Sequence, residues 1–396
     1  MSYKERLKGL EKRGMDFGVE RTRNILDKLG APDKKLKIIH IAGTNGKGSV
    51  AEYLTQILIA DGKSVGTFTS PAVYDYLEQF RIDGENISED LFEKAFNAAF
   101  KNADGATEFE VETAAAIYAF ALAGCEYAVI ECGLGGQYDA TNAVSNKEIA
   151  VITSISLEHT NVLGSTLREI CEHKAGIIKD CTAVVSAFQS EEVLEYFSKK
   201  SVIFAGEPQN VQENGFNGYS FLYGGNEFEI SMIGCLQPYN TATAIEAARR
   251  LKISQNAIYS GVKRAKLLGR LEVLNAGGRT YILDGAHNPA SFVPLCEFLG
   301  RLGGADTVVL GSLSDKDINR NIHALKPYVK KIFAVTPQSA RAMGADKVAA
   351  TCIQNGIPSK IFNGTSEALE EADGLTCVCG TFTILKEAKL WIKAKQ

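Results

Sequence analysis

Along this chain, short runs of aliphatic and β-branched residues alternate with longer stretches in which apolar residues return every three or four positions. The first run, Ile38, Ile39 and Ile41, ends in Gly43-Thr44-Asn45-Gly46-Lys47-Gly48-Ser49, after which Val50, Leu54, Ile57 and Leu58 fall on one helical face. Further strands are expected at 64–70, 127–131 and 149–155, where the runs are short and apolar in the manner of strands buried on both faces. Helices are expected over 3–10, 19–29, 91–100, 112–123 and 240–251. This alternation predicts a doubly wound α/β domain. Residues 201–234 break the rhythm: rich in Gly and Asn, with alternating patterns at 219–223 and 227–232, they read as a hairpin insertion. A second α/β series follows, with strands expected at 280–284, 307–311, 331–336 and 375–379. The pattern thus predicts a larger domain, residues 1–267, and a smaller one, residues 268–396, meeting at Leu267-Leu268-Gly269-Arg270.

Composition narrows this picture only a little. A chain of 396 residues exceeds what one core usually holds, in keeping with two domains. No apolar run approaches the roughly 18 residues of a membrane span, and the N-terminal stretch lacks the apolar core of a signal peptide. A net charge of −4 speaks against a general nucleic-acid binder. Nine cysteines without a C-x-x-C pair suit buried, reduced thiols, so a cytoplasmic location is expected.

The glycine loop is where chemistry enters. Strand, glycine-rich loop, lysine, hydroxyl and helix in that order form a phosphate cradle, in which backbone N–H groups crowd round an anion at a helix N-terminus. Lys47 is expected on the β/γ-phosphates and Ser49 on Mg²⁺. The spacing differs from the common G-x-x-x-x-G-K-[ST]: Ile41 stands where the first glycine belongs, and Gly48 separates lysine from hydroxyl. Ligands of parallel sheets gather at the carboxyl ends of strands, and those ends carry Ser70, Glu131, His159 and Asp284. Taken singly, Glu131 serves equally well as a helix cap and His159 as a core residue. Together, beside a phosphate loop, they point to a metal cluster. Gly133-Leu134-Gly135-Gly136 lets a ligand approach the backbone but is no dinucleotide fingerprint, because position 138 is Tyr. Lys174 on its own is a solvated helix lysine. Asp284-Gly285-Ala286-His287-Asn288-Pro289 offers an acid and a histidine, or simply a capping turn with Pro289 at the first helical position. Arg270 suits a nucleotide phosphate and a hinge salt bridge equally.

With these segments assembled, the chain resembles the folylpolyglutamate synthase/dihydrofolate synthase family, a branch of the Mur ligase superfamily, over nearly its whole length. The carriers are Gly43 to Ser49, Thr69-Ser70-Pro71 with Glu78 and Arg81-Ile82, Thr107-x-Phe109-Glu110, Gly133 to Gly136 with Asp139-Ala140-Thr141-Asn142, and Thr153 to Thr160 around His159. Lys174-Ala175-Gly176-Ile177, Gln237 with Asn240, Gly269-Arg270 and Asp284 to Pro289 complete the set. The resemblance implies a P-loop, Mur ligase-like first domain and a Rossmann-like second domain that delivers glutamate. By the same likeness Asn45, Gly46, Lys47 and Gly48 hold ATP phosphates, while Asn240, Arg270 and Asp284 make adenine-, phosphate- and ribose-side contacts. It places two Mg²⁺ ions on Ser49, Ser70, Glu131, His159 and a carbamylated Lys174, and makes Lys47, Lys174 and His287 catalytic. Asp16, Phe17, Gly18, Thr107, Glu108, Phe109, Glu110, Tyr138, Asp139 and Ala140 match segments that line the pterin site.

Some positions depart from the family's habit, among them Ala72-Val73 after Ser70-Pro71, Gln79 after Glu78, Gln137, Leu236 and Leu267-Leu268. All lie on loops expected near the acceptor, so a looser folate site is expected while the ATP chemistry stays intact. The expected activity is ATP-dependent addition of L-glutamate to folate or dihydropteroate through an acyl phosphate, by a monomer acting on small molecules without nucleic acid or membrane. The alternative is a related ligase joining an amino acid to a non-folate carboxylate.

Overall fold

The apolar runs assemble into two sheets, each covered by helices on both faces, in a computed structural model that describes residues 3–10, 16–186 and 188–396. The first sheet contains β1 (Lys37–Ala42), β2 (Val65–Phe68), β3 (Phe80–Ile82), β4 (Glu85–Asn86), β5 (Tyr127–Glu131), β6 (Lys147–Ile152), β7 (Thr182–Val185) and β8 (Ile203–Phe204). Their spatial order is β4-β3-β2-β5-β1-β6-β7-β8. All strands run in one direction except β3, which pairs antiparallel with β2 and with the edge strand β4. Side chains alternate across a strand, so Ile39 and Ile41 enter one core and Ile38 the other. Helices Lys47–Ala60, Gln237–Arg250 and Gln255–Arg264 cover the first face, and Glu89–Phe100 and Glu108–Leu122 the second. The helix expected at 112–123 starts a turn earlier because Thr107 and Glu110 form a capping box.

The expected hairpin insertion is a three-stranded antiparallel sheet: β9 (Gln209–Glu213) joins β10 (Tyr219–Tyr223) and β11 (Asn226–Ile230) in the order β11-β10-β9. Strand β9 is mostly exposed and carries no apolar alternation, which is why the pattern reveals only its partners. The second sheet holds β12 (Glu272–Ala276), β13 (Arg279–Leu283), β14 (Thr307–Leu310), β15 (Ile332–Val335), β16 (Ser359–Phe362) and β17 (Thr376–Cys379), ordered β12-β13-β17-β14-β15-β16. Its four central strands are the expected ones. The two edges, β12 and β16, are only partly buried and give no continuous apolar run. Among the described residues no helix is long and apolar enough to cross a membrane, and all nine cysteines are free.

This topology places the ends of β1, β2, β5 and β6 along one edge of the first sheet. That edge faces residues 266–284, where the chain crosses to the second sheet.

Candidate active site

The phosphate loop is shaped by its neighbours. Gly46 has φ +88° at the start of helix Lys47–Ala60, and a side chain there would collide with Asn240, so glycine is required on both counts. The loop is tied to the end of β6: the Ser154 carbonyl accepts from Thr44 N at 2.8 Å and Asn45 N at 3.3 Å, and Ser154 Oγ donates to the Asn45 carbonyl at 3.2 Å. Lys47 curls back over it, its Nζ donating to the carbonyls of Gly43 (3.2 Å) and Thr44 (3.3 Å) and lying 4.0 Å from Glu131 Oε1. Ser49 Oγ accepts from Gln237 Nε2 at 3.2 Å, and Gln237 in turn accepts from Asn240 Nδ2 at 3.4 Å.

Glu131 ends β5, buried, and accepts a backbone N–H from Ser70; burial pushes its carboxyl upward against the pull of Lys47 and Arg270. It is a strand terminus aimed at the loop, not a helix cap. Asp284 follows β13 and accepts from Leu271 N and Ala286 N, both at 2.7 Å; burial raises its carboxyl too, opposed by Arg270. Arg270 forms no ion pair among the described residues. Its guanidinium lies 4.9 Å from the centre of the Phe382 ring. A cavity of about 500 Å³ brings Asn45, Gly46, Lys47, Gly48, Ser49, Ser70, Glu131 and Asn240 of the first unit together with Arg270 and Asp284 of the second.

Three expected residues stand outside that lining. Lys174 is 3% exposed, so it is no solvated helix lysine. Its Nζ donates to the Gly43 carbonyl at 2.7 Å, and burial, with Lys47 close by, brings its ammonium down to about 7. His159 is no core residue either: its side chain is 54% exposed, with φ +51°, and it lies 3.9 Å from Glu158. His287 Nδ1 lies 2.8 Å from the Gly285 carbonyl, and burial lowers its pKa. The next residue, Asn288, caps helix Pro289–Arg301 and reaches Glu158 across the units at 3.5 Å. The capping turn and an approach to the first unit therefore coexist.

Ser49 and Glu131 present a hydroxyl and a carboxylate oxygen beside the phosphate loop, a donor set suited to a hard cation such as Mg²⁺. Among the described residues no group of three or more His, Cys, Asp and Glu side chains is placed to hold a metal. A site here would complete its shell with phosphate and water oxygens, as Mg²⁺ commonly does. Lys174 as an amine offers no oxygen. A carbamate would supply one.

The segments at 16–18, 107–110 and 138–140 lie against one another. Gly18 N donates to the Tyr138 carbonyl at 3.0 Å, while Arg21 bridges Asp16 (2.8 Å) and Glu110 (2.9 Å). Their carboxylates are largely used internally: Glu110 accepts from Thr107 N and Oγ1, and Asp139 from the backbone of Leu134 and Thr141. Glu108 opens the helix that Thr107 caps, and Ala140 opens a short 3-10 turn. Phe109 stacks on Phe68 at 5.7 Å, and the rings of Phe17 and Tyr138 are exposed. Gln79 lies elsewhere: it is buried in the wall of the phosphate-loop cavity, its Nε2 donating to the Tyr76 carbonyl at 3.3 Å. The Glu52–Arg81 pair (2.6 Å) and Phe382 also line that cavity; Arg81 enters the sequence reading only as a carrier of the resemblance, and Glu52 and Phe382 stand in no motif that marks them as facing a ligand.

A phosphate loop on one α/β unit, facing a second α/β unit across a shared cavity, defines a Mur-type ligase. The chain matches the Mur ligase middle domain over residues 41–248 and the Mur ligase glutamate ligase domain over residues 269–378. It is 33% identical over 348 residues to the dihydrofolate synthase/folylpolyglutamate synthase of Bacillus subtilis, spanning 80% of each chain. The structure superposes on Escherichia coli FolC in complex with DHPP and ADP with a TM-score of 0.87 at 28% identity, covering 100% of this chain and 98% of that one. A second neighbour, the bifunctional folylpolyglutamate synthase/dihydrofolate synthase of Yersinia pestis complexed with AMPPNP and Mn ion, has a TM-score of 0.83 at 28% identity, covering 98% and 96%. The chain belongs to the Mur ligases, in the folylpolyglutamate synthase/dihydrofolate synthase family.

Proposed function

We propose that this chain joins L-glutamate to the carboxylate of folate, and of dihydropteroate, with conversion of ATP to ADP and phosphate. The observation that carries the reading is the shared cavity, in which phosphate-loop residues of one unit face Arg270 and Asp284 of the other. ATP and a divalent cation are its co-substrate and metal. Asn45, Gly46 and Gly48 would cradle the phosphates, Asn240 and Asp284 the nucleoside, and Lys47 and Arg270 would neutralise charge as the γ-phosphoryl moves to the acceptor carboxylate. Ser49 and Glu131, with Ser70 beside them, would hold the cation, which would supply further charge neutralisation there. The glutamate amine would then attack the acyl phosphate and release phosphate, a step to which the reading assigns His287. Closure of the cleft keeps water from the intermediate.

The buried Lys174 amine, with its pKa near 7, is suited to react with carbon dioxide, and the reading makes it a carbamate that with His159 serves a second cation. The segments at 16–18, 107–110 and 138–140 would hold the pterin, with Phe17, Phe109 and Tyr138 supplying aromatic surface. We divide the chain at 267/268 and take the enzyme to be a cytoplasmic monomer; nine free thiols suit a reducing compartment. The deciding assay is glutamate-dependent ADP release with dihydropteroate, tetrahydrofolate and a UDP-muramoyl acceptor in parallel. Stimulation by a pterin acceptor supports the reading. Stimulation by the muramoyl compound alone replaces it with a ligase for a different carboxylate.

A further inference from the structure

The segment that follows Ser70 leaves the first unit and ends against the second. It is stiffened from within: the Glu78 carboxylate accepts from the backbone N–H of Val73, of Tyr74 at 2.9 Å and of Asp75 at 3.2 Å. Its tip, Val73 and Tyr74, packs on the core that contains Leu283, Ile384 and Leu385 of the second unit. Gly269 makes room for this contact. It has φ +61°, and a Cβ there would stand 3.2 Å from Leu385 Cδ1 and closer still to Val73.

Polar contacts then lock the tip. The Tyr74 hydroxyl donates to Glu272 Oε2 at 2.5 Å, and Gly269 N–H donates to the same oxygen at 2.8 Å. The Lys389 ammonium pairs with Glu272 Oε1 at 2.7 Å and lies 3.9 Å from the centre of the Tyr74 ring. The Lys389 and Glu272 side chains are only 14% and 13% exposed, so the pair is shielded from the screening that weakens surface ion pairs. One carboxylate thereby joins three elements: the loop that carries Ser70, the crossing at Gly269-Arg270, and helix Phe382–Lys393, whose first residue holds the Arg270 guanidinium.

The geometry points to Tyr74, Glu272 and Lys389 as an interdomain latch, a set of positioning residues that fixes Ser70 and Arg270 in one register across the cavity. It rests on the ligase reading above. With the latch closed, acceptor, phosphoryl group and glutamate are held together. With it loosened, water reaches the acyl phosphate and cleaves it to carboxylate and phosphate, so ADP forms without amide.

The test uses Tyr74→Phe, which removes one O–H and keeps the ring, with Lys389→Met as a second variant should the first fail to fold. ADP and amide product are measured in the same reaction with tetrahydrofolate and glutamate. Hydrogen–deuterium exchange is followed at residues 72–75 and 269–271. The expected result is an unchanged melting curve, amide turnover reduced by about 10-fold, more ADP per amide than in the wild type, and faster exchange confined to those two segments. Parallel loss of ADP and amide, or unchanged exchange at both segments, overturns the latch. A wild-type enzyme that releases no ADP with any pterin acceptor overturns the ligase reading instead, and the exchange comparison still judges the latch.

Discussion

At the phosphate loop, the half-buried Lys47 and the buried Lys174 and Glu131 lie close together with incomplete compensation. Glu131 has Lys47 at 4.0 Å and a backbone N–H from Ser70, and Lys174 has the Gly43 carbonyl, with Lys47 lowering its pKa and Glu158 raising it. At the segments proposed to hold the acceptor, Glu110 and Asp139 are equally buried yet fully engaged by Arg21, Thr107 and backbone amides. The first region stores charge that phosphates and a cation can answer. The second spends its charge on holding loops and leaves rings for the ligand. Burial raises Asp139 as it does Glu131, so what separates the two regions is the hydrogen-bond partners each carboxylate already holds. Glu112, on the same helix as Glu110, is raised to about 7 by burial and bonded to the Tyr76 hydroxyl.

The comparison is broken most severely by removing charge at the loop. Lys47→Ala is expected to lower turnover about 10²–10³-fold with the fold retained; near-wild-type turnover would remove the phosphate role. Lys174→Ala should lose activity and recover part of it with short carboxylic acids that replace a carbamate. Because burial brings this amine down to about 7, it sheds its proton as pH rises through that value. Bicarbonate-dependent activity and carbamate mass should therefore increase from below pH 7 to above it, and a plain ammonium in active enzyme would end the proposal.

On the acceptor side the expected losses are smaller and differ in kind. Arg21→Met strands the buried Glu110 carboxylate, which should cost about 1–3 kcal/mol in a denaturant titration and raise the KM for the acceptor more than that for ATP. The mildest effect is expected of Gln79→Arg. The position faces the phosphate-loop cavity, so the change should appear in the KM for ATP, with the acceptor KM little moved. The opposite pattern would place Gln79 on the acceptor side, where the sequence alone suggested it.

Local patterns determined much of this protein. The strand–loop–helix at 38–58 and the central strands of both sheets follow from period and turn chemistry, because a buried parallel strand must be apolar and a phosphate loop needs glycine where the backbone turns at Gly46. Strands β3, β4, β7, β8, β9, β12 and β16 lie outside those expected from the pattern, because short or partly exposed strands carry no continuous apolar run. The electrostatic state of the site was equally hidden. Lys174 looks like any helix lysine until packing removes water from it, and Arg270 chooses a ring over an acid only because Phe382, 112 positions later, folds beneath it. Which carboxylates are spent and which are free, how Val73 and Tyr74 dock on the second unit, and where Gln79 points were decided by tertiary structure alone, since each depends on partners distant in sequence or on burial, quantities that no local spacing encodes.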